Sequence, residues 1–166
     1  MKVPRYPWGV QSLYNSRPTV GWLMDLCEEN YVSLMRLTPG LHLLEGRYLS
    51  RLEVSMDLHL EILEQTPYTT LLHLTHYFSH EAGQQPDPDA RLRVYHDSRQ
   101  AEVIDLRQKQ FLLHGGAQKS TLEQKWKTNL FLSKWLSYCL GQGHSFHAGQ
   151  QVSALPGAYT KLVESC

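Results

Sequence analysis

Hydrophobic and polar positions change period several times along the chain, and each change marks an element. From Val20 to Leu37, the residues Leu23, Leu26, Cys27, Tyr31, Leu34 and Met35 recur at steps of three and four, which puts one apolar stripe on a helix. Thr19 can cap its start, and Pro39-Gly40 marks its stop. The period then falls to two. Leu52, Val54, Met56, Leu58, Leu60 and Ile62 alternate with Glu53, Ser55, Asp57, His59 and Glu61, so one side of a strand is meant for a core and the other for water. A break near Ser55–Asp57 would divide this run into strands of ordinary length. Gln65-Thr66-Pro67 turns the chain. Thr69–Phe78, with Thr70, Leu72, Leu74 and Phe78 on one side, then returns antiparallel. Gly83, Pro86 and Pro88 among polar residues predict a loop over 79–89.

The stretch Arg91–Val103 reads as a hairpin. Leu92, Val94 and Ala101 hold its apolar positions, the turn falls at Asp97 to Gln100, and the second strand reaches Leu106. Phe111–Gly116 fits neither period. Ser120-Thr121-Leu122-Glu123 has the form of a capping box, and the helix it opens runs to Leu140. Leu122, Trp126, Leu130, Leu132, Trp135, Leu136, Cys139 and Leu140 give that helix a face wide enough to lie across a sheet. Gly141 and Gly143 end it.

These elements predict one α+β domain over residues 20–142, an antiparallel sheet of about four strands packed on one face by an N-terminal and a C-terminal helix. The helices, 20–37 and 120–140, belong on the side formed by Leu58, Leu60, Leu72, Leu74, Leu92 and Val94. Residues 1–19, with Pro4, Pro7 and Pro18 among Tyr6, Trp8 and Tyr14, predict an irregular arm. Residues 143–166, rich in Gly, Gln and Ser, predict a poorly ordered tail.

Composition narrows the function classes. Sixteen basic residues balance sixteen acidic ones over 166 residues. A domain built for nucleic acid usually carries a basic excess, so that class is disfavoured. A formal charge of zero removes colloidal repulsion and favours self-association. Cys27, Cys139 and Cys166 are odd in number and lack CxxC spacing, which fits a reducing compartment better than a disulfide framework. No apolar run resembles a signal peptide or a membrane span, so the expected location is cytoplasmic, with no membrane partner.

The hairpin gathers the chemistry. Arg91, Arg93, Tyr95 and Asp97 share one side of a strand, while His96 points to the other with Leu92 and Val94. That parity separates His96 from Asp97, which argues against a general-base dyad. Asp97 suits the start of the turn, and His96 suits the core edge, satisfied by a hydrogen bond. Arg91 and Arg93, beside Tyr95 and Glu102, can clamp a phosphate or carboxylate. They can also pair with Glu53, Asp57 or Glu61 on a neighbouring strand, the arrangement favoured here. Nine histidines invite a metal, but His73 and His76 differ by three and face opposite sides of a strand. No cysteine lies near them to complete a zinc site, so neither metal nor cofactor is expected. Gly115-Gly116 before Lys119-Ser120 only faintly imitates a P-loop, whose GxxxxGK[ST] spacing is absent.

Three blocks together resemble the YqiB-like family of small bacterial proteins, a domain of unknown function. They are Leu23–Tyr31; Leu60–Glu64 with Tyr68–Leu71, Arg93–Asp97 and Ala101–Val103; and Asn129–Leu132 with Trp135–Leu140. They span residues 22 to 142. The resemblance implies no assigned activity or cofactor. It also implies genes that sit near an ADP-ribose pyrophosphatase and a cyclic-nucleotide phosphodiesterase, an association that tilts toward nucleotide-related housekeeping.

The residues favour a non-enzymatic binding or regulatory module that meets a protein partner, or a second copy of itself, through the polar sheet face or an edge strand. The alternative is a small anionic ligand, nucleotide or phosphate, bound or hydrolysed by Arg91, Arg93, Tyr95 and Glu102 with His96 and Asp97 beside them.

Overall fold

The computed structural model describes residues 19–80, 83–107 and 121–153. The expected N-terminal arm, the ambiguous Phe111–Gly116 stretch and residues 154–166 lie outside them. Helix α1 spans Val20–Leu37, and helix α2 spans Leu122–Gln142. Among the described residues six strands are present: β1 Arg47–Leu52, β2 Ser55–Gln65, β3 Thr69–His80, β4 Gly83–Tyr95, β5 Gln100–Arg107 and β6 Gln151–Val152. They form one sheet in the order β5-β4-β3-β2-β1-β6, antiparallel at every junction.

The α+β class and the antiparallel sheet agree with the sequence, but the strand number is six, not about four. One added strand comes from the long alternating run. It folds back at Glu53-Val54 into the β1–β2 hairpin, so Val54, expected in the core, is 90% exposed at the turn. The other added strand, β6, pairs Gln151 and Val152 with Tyr48 and Arg47. The predicted loop over 79–89 is instead the far end of the β3–β4 hairpin. Its prolines are tolerated for a positional reason. The β3–β4 register shifts between Thr75 and Tyr77, opposite Asp89 and Pro86, so Pro86 borders and Pro88 lies in a bulge, where a missing N–H is tolerated.

Thr19 caps α1 by accepting the Trp22 amide at 3.1 Å, and Gly40 turns the chain in the left-handed region (φ 78°). The α2 cap sits one residue later than the sequence predicts. Thr121 accepts the Gln124 amide and Gln124 reaches back to the Thr121 amide, both at 3.2 Å, so the box is Thr121/Gln124 rather than Ser120/Glu123. Gly141 stays helical, and Gly143 alone ends the helix (φ 98°).

Both helices cover the predicted side of the sheet. Leu58, Leu60, Leu72, Leu74, Leu92 and Val94 have no solvent exposure, and they meet Leu34 and Leu37 of α1 and Leu132, Trp135 and Leu136 of α2 in one core. α1 also packs along α2 and β5. At that seam a polar residue takes a stripe position: buried Asn30 donates to the Asn129 carbonyl at 3.1 Å.

Residues 143–153, expected as part of a poorly ordered tail, return to the core instead. Phe146 is fully buried, and its amide donates to the Leu37 carbonyl at 2.8 Å. The buried His144 ring bonds the Ser50 hydroxyl at 2.8 Å and the Ser55 hydroxyl at 3.3 Å. Two aromatic anchors in a segment without periodicity are enough to fix it.

Candidate functional site

The β4–β5 hairpin places its polar residues as strand parity requires. Arg91, Arg93 and Tyr95 point away from the helices; Leu92 and Val94 point toward them. Register sets Arg93 opposite Glu102 and Arg91 opposite Asp105. The Tyr95 hydroxyl donates to Glu102 at 2.8 Å. Burial raises the Tyr95 phenol, the Glu102 bond adds to that rise, and Arg93 opposes it. The acids opposite the two arginines therefore come from β5. The expected partners Glu61 and Asp57 serve other arginines, with Arg47 on Glu61 at 2.5 Å and Arg51 on Asp57 at 3.1 Å. Glu53 lies exposed at the β1–β2 turn.

His96 and Asp97 are not brought together with these groups. The His96 ring turns to the inner side and bonds the Thr70 hydroxyl at 2.7 Å, while the Asp97 carboxylate accepts the Ser98 amide at 2.9 Å and shapes the turn. Burial and the neighbouring His42 lower the His96 pKa, against the pull of Asp97. The site read from sequence thus divides between two faces: Arg91, Arg93, Tyr95 and Glu102 on one, His96 near the other, and Asp97 in the backbone of the turn.

The outer face carries more paired chemistry than the sequence indicated. One row across the sheet reads Arg47, Glu61, His73, Arg91, Asp105. His73 Nε2 meets Asp89 Oδ1; burial works against the Asp89 carboxylate, but the His73 bond holds it below its usual range. His59, expected to face water, is 2% exposed, with its ring edge-on to Tyr77 at 4.4 Å between centroids. Only a register of five strands reveals such a row.

A second grouping lies where α1 meets the β4–β5 turn. Glu28, Tyr31, Val32, Ser98 and Arg99 line a groove of about 290 Å³. Arg99 is left-handed (φ 56°), and its guanidinium lies 5.7 Å from the centre of the Tyr31 ring. The left-handed position of a four-residue hairpin loop ordinarily belongs to Gly or Asn. Arginine there costs about 1–2 kcal/mol, whereas an exposed cation–π contact returns about 0.5–1 kcal/mol. The contact does not offset the strain. A basic residue at that turn position was the sequence signal for this groove.

Deeper in the core, the Trp135 indole donates to His76 Nδ1 at 3.0 Å and Cys139 Sγ lies 3.9 Å from Nε2. Burial lowers the His76 pKa to about 4 and pushes the Cys27 and Cys139 thiols up to about 12, so both cysteines are protonated, inert packing groups. His73 and His76 face opposite sides, as parity requires. Among the described residues no three His, Cys, Asp or Glu side chains come together as a metal would need. No described helix is long and apolar enough to cross a membrane.

Comparison with known proteins places this fold among relatives without an assigned role. The model of a family described as "Protein of unknown function (DUF1249)" matches residues 33–145. The chain is 31% identical over 125 residues to "Uncharacterized protein YqiB" of Escherichia coli K12, which covers 73% of this chain and 88% of that protein. The same values hold for the proteins of that name from the O6:H1 and O157:H7 strains. No solved structure matches the chain significantly.

Proposed function

The chain belongs to the YqiB-like DUF1249 family of proteins of unknown function, and we propose that it is a non-enzymatic binding module that engages a protein partner through the polar outer face of its sheet. One observation carries this reading: the charged groups Arg47, Glu61, Arg91 and Asp105 of that face stand in one cross-strand row of alternating sign, with His73 between Glu61 and Arg91. Rows of matched charge on a rigid sheet give orientation and partner choice more than raw affinity, as a docking surface needs. The edge is a poorer surface. The Val103 amide of β5 already donates to Asn129 Oδ1 at 3.0 Å, which removes one of the bonds an added strand would use.

The anion reading of the same residues is less well supported. Glu102 opposite Arg93 and Asp105 opposite Arg91 already supply the negative charge that a phosphate would bring. A catalytic reading fares no better, because the imidazole of His96 is turned away from Arg93, Tyr95 and Glu102.

The test is affinity capture from a native bacterial lysate with the full chain and with Arg91→Glu/Arg93→Glu. The proposal expects a discrete partner retained by the wild type and lost with the double variant, whose fold, checked by circular dichroism, survives the like charges set opposite Glu102 and Asp105. Retention of the same partner by the variant would overturn it. Phosphate- or nucleotide-dependent thermal stabilisation that Arg93→Ala abolishes would restore the anion reading.

A further inference from the structure

The charges on the outer sheet face change sign from strand to strand, and the pattern has a centre. β1 turns Arg47 and Arg51 outward, and β2 turns Asp57, Glu61 and Glu64 outward. β4 turns Arg91 and Arg93 outward, opposite Asp105 and Glu102 of β5. Between them β3, the middle of these five strands, presents Leu71, His73, Thr75 and Tyr77, with no Asp, Glu, Lys or Arg among them. From β1 to β5 the strands are basic, acidic, without fixed charge, basic and acidic. From β5 to β1 every sign is reversed. Asp89 and Arg107, one step further along their strands, depart from the pattern; His73 already bonds the first, and the second ends β5 at 3.8 Å from Asp105.

A pattern that reverses its signs about its own centre complements a second copy of itself. In a two-fold pair, residue i meets j and j meets i. A face-to-face axis running along β3 lays β2 over the second copy's β4 and β1 over its β5, with β3 on β3. Register fixes the levels: Glu61, His73 and Arg91 share one, and Glu64, Leu71 and Arg93 share the next. Glu61 then faces the second copy's Arg91, and Glu64 faces its Arg93, each contact made twice. On the axis every residue meets its twin, where a fixed charge would repel itself, and β3 carries none there. An axis across the strands would instead lay acidic β2 on itself. Packed sheets lie about 10 Å apart, a gap that Glu and Arg side chains close together. Their usual rotation of about 30° displaces groups one strand from the axis by only about 2–3 Å. Arg91 and Arg93 stand opposite their β5 acids without a direct ion pair among the described residues, so both guanidiniums can reach across. Glu61, already held by Arg47, keeps acceptor sites for a second guanidinium.

Resting on the outer-face reading, we infer that the partner of that face is a second copy of this chain, docked sheet to sheet about a two-fold axis along β3. Half-buried Leu71 and Tyr77 supply its apolar centre, and the Glu61–Arg91 and Glu64–Arg93 contacts flank it. A formal charge of zero sets no long-range repulsion between the copies. Five strands present a footprint on the order of 650 Å², below the roughly 800 Å² per partner of a standard interface. The pair is therefore reversible and sensitive to salt.

The experiment is analytical sedimentation of the purified full chain as wild type, as Arg91→Glu/Arg93→Glu and as Glu61→Lys/Glu64→Lys, the two variants run alone and mixed. The wild type is a reversible dimer at about 100 µM, and raised salt weakens it about tenfold or more. Each variant alone sets like charges across the axis and sediments as a monomer. An equimolar mixture of the two restores an opposite charge at every one of these contacts and forms a one-to-one dimer, which chains that had merely lost their fold could not do. A monomeric wild type, a variant that stays dimeric, or a mixture that stays monomeric would overturn the inference. Should a monomeric wild type still retain a foreign protein from lysate through Arg91 and Arg93, the docking reading stands and only the second copy is removed as its partner; loss of both removes the reading as well.

Discussion

Buried histidines set the residue-scale behaviour. His76 and His59 are 1% and 2% exposed, and burial, the main cause in each case, lowers both to about 4. The unfolded chain takes up a proton on each near the ordinary value of 6.5, and the folded chain resists until about 4. The folded state therefore binds fewer protons in that window. Stability is greatest above about pH 6.5 and falls as pH drops toward 4. Each histidine that stays neutral adds a slope of about 1.4 kcal/mol per pH unit, an order-of-magnitude figure. Urea titrations at about pH 7.5 and pH 5 check this, with lower stability expected at the acid value and a shallower slope in His76→Gln. Equal stability at both values would show the rings to be charged or accessible. Trp135→Phe isolates the other half of the contact. It keeps the aromatic bulk but leaves His76 Nδ1 without its donor, for a loss of about 1–3 kcal/mol by chemical denaturation. Residue chemistry of this kind was half legible in the sequence. Parity separated His73 from His76 and His96 from Asp97, but it did not say that the inner His76 would meet Trp135. That contact joins residues 59 apart in the chain.

At the scale of elements, helix ends and sheet edges decide what is stable. Thr121→Ala removes the α2 cap and should cost about 1 kcal/mol, whereas a change at Glu123 should cost less, because Gln124 is the residue that reaches back to the cap. Asn129 is the more consequential residue. Its side-chain oxygen accepts from β5, its side-chain nitrogen donates to the Lys125 carbonyl at 2.8 Å, and its own carbonyl accepts from Asn30. Asn129→Ala leaves the Val103 amide buried or open to a foreign strand. The expected result is a loss of about 1–3 kcal/mol with a rise in self-association by light scattering. α1 was legible from end to end, because a stripe of one period needs only local sequence. The β4–β5 turn was legible through Asp97, the residue type that bonds its own turn amides. The far end of the β3–β4 hairpin was not. Gly83, Pro86 and Pro88 carry loop chemistry, and only the β3–β4 register, with its shift between Thr75 and Tyr77, makes their positions part of a strand.

For the whole molecule, the sheet's two faces divide the labour. The inner face and both helices make one core, and the segment after α2 closes it with His144 and Phe146. Phe146→Ala should cost about 3–5 kcal/mol, a loss that a disordered tail could not produce; thermal melts with and without the substitution measure it. Sequence periodicity passed over this segment because its anchors are single residues between turns. The outer face carries a row of opposite charges from Arg47 to Asp105, and it is where partner recognition is proposed. The most direct test places a photo-crosslinking amino acid at exposed Asp105 on that face and, in a second variant, at exposed Lys134 on α2, each expressed in bacteria. The account predicts one discrete protein adduct from position 105, absent from position 134 and lost when Arg91→Glu/Arg93→Glu is added. An adduct formed only from position 134, or one at 105 that persists in the charge-reversed chain, would contradict it.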